Sequence, residues 1–243
     1  MNQTRSTSEG LHIGLLLFPK LTLLDLVGPC EVFTRIPEAK VHLIWKHREL
    51  VATTHGYAMQ PTMTFAECPQ LDVLCVPGGP GQVDLMEDEE TLGFLRRQAV
   101  KAKWVTSVCT GSLVLAAAGL LNGYRATCHW ASRDQLTLFD VIPVDERVVI
   151  DRNRITGGGV TAGIDFALVL VAEMQGKKMA QSIQLSIEYD PRPPFDSGSP
   201  KTADPMLVEE IKKWMAPFLE PRRLVSARVA ARLKKNEADS SHV

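Results

Sequence analysis

Trp104-Val105-Thr106-Ser107-Val108-Cys109-Thr110-Gly111-Ser112 decides the fold of this chain. The apolar, β-branched run reads as a buried strand, and Gly111-Ser112-Leu113-Val114-Leu115-Ala116-Ala117-Ala118 reads as a helix that begins directly after it. Cys109 stands at the join, with Ser107 two residues before it and Gly111 two residues after. That is the spacing of a nucleophile elbow, a turn so sharp that only small neighbours fit. A helix N-terminus favours an anion, so this position is expected to ease formation of a thiolate. The plainer alternative is a structural thiol at a strand end, since free cysteines are usually small core residues.

Working outward, other apolar runs fit strands buried on both faces. They are His12-Ile13-Gly14-Leu15-Leu16-Leu17-Phe18, Val41-His42-Leu43-Ile44-Trp45 and Leu71-Asp72-Val73-Leu74-Cys75-Val76. A hairpin is expected over Arg147 to Ile155, turning at Asp151 to Asn153. Helices are expected from Cys30, over Asp88 to Lys101, Thr161 to Met174 and Met179 to Glu188, and over Met206 to Lys235 with interruptions near Pro217 and Pro221. Strands alternating with helices argue for a parallel sheet covered on both faces, whose site lies outside the carboxyl ends of the strands. Asp25, Gly78-Gly79, Cys109 and Gly157 to Gly159 each follow an apolar strand and are expected to meet at one rim.

Asp25 stands alone among leucines. It is read equally as a helix cap and as a site carboxylate whose pKa its surroundings adjust. Gly78-Gly79-Pro80-Gly81 lacks both the Lys-Ser/Thr of a phosphate loop and the spacing of a dinucleotide fingerprint, so an anion-stabilising turn near Cys109 is the better reading. His129 invites a Cys–His pair, but a histidine packed beside Trp130 serves as well.

Composition narrows the classes. The chain has 243 residues, 45% of them hydrophobic, and a formal net charge of −1. A near-neutral balance gives no reason to expect nucleic acid or an acidic membrane surface as partner. No apolar run approaches the ~20 residues of a spanning helix. Five cysteines, with no CxxC pair and no metal-like spacing against the six histidines, suggest reduced thiols in a cytoplasmic protein without a metal. Residues 1–10 are polar and read as a disordered tail, 11–190 as one α/β domain, and 191–243 as a loop and helical extension packed on it.

Four segments carry a resemblance: Val76-Pro77-Gly78-Gly79, Ser107-Val108-Cys109-Thr110-Gly111-Ser112, Ala126-Thr127-Cys128-His129-Trp130 and Gly163-Ile164-Asp165-Phe166-Ala167-Leu168. On these the chain resembles the DJ-1/PfpI superfamily over about His12 to Glu188, which implies a flavodoxin-like fold. Leu24-Asp25-Leu26, His42-Leu43-Ile44-Trp45-Lys46, Pro193-Pro194-Phe195 and Gly198-Ser199-Pro200 make it most similar to the isonitrile (isocyanide) hydratases. Protease-like members carry a histidine after the nucleophile, where this chain has Thr110, and other members carry a glutamate where Asp25 stands. The late His-x-Glu pair of related amidotransferases is missing, so a Cys–His–acid triad is poorly supported.

The resemblance implies hydration of an isonitrile, a small-molecule substrate, to an N-substituted formamide through a thioimidate on Cys109. It makes Asp25 the proton carrier and Thr110 a site residue, with backbone N–H groups of Gly79 and Thr110 holding developing negative charge. It implies no cofactor, and a homodimer. A redox or stress-response thiol protein, a glyoxalase-type enzyme and a ligand-sensing domain stay open beside it, because one fold hosts all of them.

Overall fold

In this computed structural model, which describes residues 10–240, the long apolar runs become the inner strands of one sheet. The strands are β1 (His12–Leu16), β2 (Lys40–Trp45), β3 (Met63–Thr64), β4 (Val73–Val76), β5 (Trp104–Val108), β6 (Val148–Asp151) and β7 (Arg154–Gly157). They lie in the order β6-β7-β5-β4-β1-β2-β3, all parallel except the β6–β7 hairpin. The longer α-helices are α1 (Leu23–Phe33), α2 (Glu89–Ala99), α3 (Gly111–Ala117), α4 (Ala162–Gln175), α5 (Lys177–Ser186) and α6 (Pro205–Ser240). Leu15, Val73, Leu74, Val105 and Ile155 are buried on the inner strands, as a sheet covered on both faces requires.

Register decides what meets at the rim. Leu15 pairs with Cys75, Val76 with Ser107, and Val108 with Gly157. The carboxyl ends of β1, β4, β5 and β7 are therefore level, and the turns after them share one edge.

Two helices differ from expectation. α1 starts at Leu23 rather than Cys30, so Asp25 lies in its first turn and Pro29 lies inside it. Pro29 removes the N–H that would bond the Asp25 carbonyl. Packing offsets the loss: a Cβ on Gly28 would stand 3.3 Å from Ile164 Cγ1, and one on Gly163 would stand 3.1 Å from Pro29 Cδ. α1 and α4 thus touch through small residues that larger ones would push apart. α6 is likewise one helix through Pro217 and Pro221, not an interrupted one. Both prolines are exposed, so water can bond the carbonyls they free.

The second half of α6 docks on the domain. Arg222, Ser226, Val229 and Ala230 are buried, and Ser226 Oγ donates to Gln135 Oε1 at 2.8 Å. Arg228 pairs with Glu87 at 2.6 Å, and Arg223 pairs with Asp134. The first half leaves Met206, Trp214 and Phe218 exposed. The tail expected over residues 1–10 lies, apart from Gly10, outside the described residues.

Candidate active site

The turn after β5 puts Cys109 in the left-handed region, at φ 56°. A non-glycine residue there costs about 1–2 kcal/mol. The Cys109 N–H, shared between Gly157 O at 3.1 Å and Gly158 O at 2.9 Å, helps to hold the conformation. Ser107 and Ser112 share a hydrogen bond of 2.9 Å, and Ser112 Oγ also donates to Thr127 O at 2.7 Å. Gly111 is required by contact: a Cβ there would run into the carbonyl oxygens of Val76 and Pro77. Gly111 therefore meets the steric demand that the elbow spacing anticipates, while Ser107 ties the strand end to Ser112.

Asp25 reaches the same point from α1 and is fully buried. Its Oδ2 accepts from the Gly78 N–H at 2.9 Å. Its Oδ1 is buried without a close partner. The Cys109 thiol faces this carboxyl, near enough to favour its ionised form. Burial nevertheless dominates and pushes Asp25 from 3.8 up to about 7, against the pull of Gly78 and Cys109.

The thiol departs from the sequence expectation. Burial first, then the Asp25 charge and then Cys128 push Cys109 well above its ordinary range, against the backbone N–H groups of Val160 and Thr110. Cys109 is 4% exposed. With a helix of only 7 residues behind it, the sulfur is not a ready thiolate; it is a thiol beside a carboxyl that can take its proton.

Thr110 Oγ1 accepts the Gly79 N–H at 3.0 Å. Gly79 therefore differs from its expected part as a charge-holding donor, because its N–H is already engaged. Gly78 serves Asp25, while Thr110 and Val160 serve the sulfur. The sequence marks Gly78 only as part of an anion-stabilising turn, not as the donor to Asp25, and leaves Val160 unread although it follows the glycine turn at 157–159. Gly78 must be glycine: an added Cβ would lie 2.5 Å from Thr110 N and 2.8 Å from Asp25 Oδ2.

His129 lies close by without joining the pair. Its Nδ1 accepts from the Ala131 N–H at 3.3 Å, and its ring packs on Gly159 and tilts against Trp130. Burial first, then Arg222, lower it to about 4, so the imidazole is neutral. A cavity of about 550 Å³ opens beside the thiol, walled by Cys128, His129, Trp130, Gly158 and Val160 among others. Cys109 adjoins three of these residues: its N–H bonds Gly158 O, and its sulfur meets the Val160 N–H and lies near Cys128. Among the described residues, no group of three His, Cys, Asp or Glu side chains gathers as metal ligands would.

Comparison with known proteins places the chain in a family. The isonitrile hydratase of Pseudomonas putida is 56% identical over 223 residues, covering 92% of this chain and 98% of that protein. The transcriptional regulator GbdR of Pseudomonas aeruginosa is 30% identical over 186 residues, which cover 73% of this chain and 50% of the regulator. A crystal structure of a ThiJ/PfpI family protein from Pseudomonas syringae superposes with a TM-score of 0.87 at 45% identity, covering 89% of this chain and 90% of that one. The profile of the DJ-1/PfpI family matches residues 12–173, from β1 into α4 and through every turn that builds the site. With its parallel sheet, its strained cysteine at the elbow and that match, the chain belongs to the DJ-1/PfpI family.

Proposed function

We infer that this chain is an isonitrile hydratase: a lyase that adds water to R–N≡C and releases an N-substituted formamide. One observation carries the reading. The thiol of Cys109 faces a buried carboxyl, Asp25, whose Oδ1 has no close partner, while the nearby imidazole is neutral and bonded elsewhere. The 56% identity to the Pseudomonas putida isonitrile hydratase, over nearly the whole of both chains, supports it.

The chemistry follows from the pair. Asp25 takes the thiol proton and passes it to the terminal isonitrile carbon as the sulfur attacks that carbon. The S–H bond breaks, S–C and C–H bonds form, and a thioimidate remains on Cys109. Water then adds to the thioimidate carbon with Asp25 as base. The water proton taken by Asp25 goes to the imine nitrogen; the remaining hydroxyl proton returns to the sulfur as the C–S bond breaks and the C=O bond forms, and the N-substituted formamide leaves. A carboxyl near pKa 7 can give and take a proton at neutral pH, which an ordinary aspartate does poorly. The N–H groups of Thr110 and Val160 face the sulfur and stabilise charge there, at up to about 3 kcal/mol per donor. The cavity beside Cys128 and Val160 takes the R group.

The redox reading is tested by mass spectrometry after mild peroxide: it predicts ready sulfenic or sulfinic acid at Cys109, and an unmodified Cys109 would end it. All five cysteines are unpaired, in keeping with a reducing cytoplasm, and no helix among the described residues is long and apolar enough to cross a membrane. We expect a homodimer, which light scattering at micromolar concentration would show. The decisive assay mixes the purified protein with cyclohexyl isocyanide and follows the formamide spectrally. The parent should turn over and Cys109→Ala should not, with its circular dichroism unchanged. Hydration by Cys109→Ala at the parent's rate would end the covalent route.

A further inference from the structure

Arg222 is an unusual cation. It comes from α6, outside the part of the chain that forms the sheet, and is 7% exposed. Its Nη1 donates to Ser132 Oγ at 2.9 Å, and its Nε is buried with no partner. No carboxylate among the described residues pairs with it; its neighbour Arg223 holds Asp134 instead. A buried, unpaired guanidinium is expensive, so a fold that keeps one invites a search for the negative charge it serves.

The surroundings supply a candidate. Ser132 N donates to the His129 carbonyl at 2.9 Å, so the Arg222 head lies directly behind the Cys128–His129 segment. That segment forms the cavity wall beside the reacting sulfur. The groups that feel the Arg222 charge are Cys128, Cys109 and His129. Around Cys109 itself stand Asp25 from α1, Cys128, the N–H groups of Thr110 and Val160, and Arg222 from α6. Arg133 and Asp134 also act on Cys128, but each has a partner of opposite charge, Asp145 and Arg223. Asp25 opposes negative charge on the sulfur, and Arg222 is a full cation near enough to Cys128 and Cys109 to act the other way.

We propose that Arg222 is a positioning residue for the reaction at Cys109, holding an unpaired positive charge behind the Cys128–His129 wall so that the sulfur can carry negative charge beside Asp25. This rests on Cys109 as the reacting atom, but it is separable from isonitrile turnover because thiol reactivity can be read with another electrophile.

The test alkylates the folded full-length protein with iodoacetamide across a pH series and measures the rate at the Cys109 peptide by mass spectrometry. Arg222→Gln and Arg222→Met should move the pH midpoint of Cys109 alkylation upward by about one unit, which at an effective dielectric of ~20 is what a charge about 12 Å from the sulfur contributes. Arg222→Lys should restore most of that shift. Ser132→Ala, which cuts the tie but keeps the cation, should leave the midpoint near the parent value. The Met variant should be at least as heat-stable as the parent, because it removes a buried charge while keeping a long apolar chain. A midpoint unmoved in a folded Gln or Met variant overturns the proposal. So does loss of fold in both, which would make Arg222 a structural tie between α6 and the 130–139 segment.

Discussion

Replacing Asp25 by Asn should make the protein more stable at mildly alkaline pH while destroying its activity. Burial raises this carboxyl from 3.8 to about 7, so the folded state holds its proton more tightly than the unfolded chain does. The stability associated with that proton is fully present below the unfolded pKa and is lost as pH rises through the folded one. At 1.36 kcal/mol per unit, the difference of about 3 units amounts to roughly 4 kcal/mol at pH 8, more than half of which is lost between about pH 5 and about pH 8. Asn Oδ1 can still accept the Gly78 N–H, so the amide keeps the shape and removes the titration. The assay is urea unfolding of both proteins at about pH 5 and about pH 8, with the difference between them as the readout, because histidines titrate in both. The advantage of the Asn variant should grow by about 2–3 kcal/mol across that range, or roughly 5–10 °C in Tm for a chain of this size. Parallel stability curves would refute the reasoning and mean that Asp25 titrates as an ordinary, hydrated carboxylate. Activity should fall to near background at every pH, since an amide cannot carry the proton. Near-normal turnover would leave Asp25 as a part of α1 and nothing more.

Gly78→Ala should lower kcat/KM about 100-fold, because its methyl would displace Asp25 Oδ2 and Thr110 from places they hold at 2.8 Å or less from it, and small misplacements of reacting groups have effects of that size. Steady-state kinetics on cyclohexyl isocyanide would check it, and an unaltered rate would show that the rim relaxes freely. Thr110→Val should destabilise the fold by about 1–2 kcal/mol in urea melts, since the buried Gly79 N–H loses its acceptor. An unchanged kcat in that variant would assign any catalytic part of this position to its backbone N–H.

The doubly wound sheet was legible because it rests on local patterns. Apolar runs such as Leu15-Leu16-Leu17 and Val73-Leu74-Cys75-Val76 can be buried only on both faces, and the strand–Cys109–helix junction needs small neighbours that the chain displays in order. Asp25 and Cys109 could be paired in advance because each follows a strand, and parallel strands deliver their carboxyl ends to one rim. Other features depended on contacts between distant segments. The continuity of α1 through Pro29 depends on Gly163 across the interface, and that of α6 through Pro217 and Pro221 on solvent around it. The charge state of the sulfur could not be read from the helix N-terminus, because burial and the Asp25 carboxyl act against the dipole of one short helix. Arg222 carries no local signal at all: α6 brings it behind Cys128 from 94 positions further along the chain. Patterning along a chain reports which residues avoid water, whereas a pKa or an unpaired charge is set by what lies within a few ångströms in space, and folding alone supplies those neighbours.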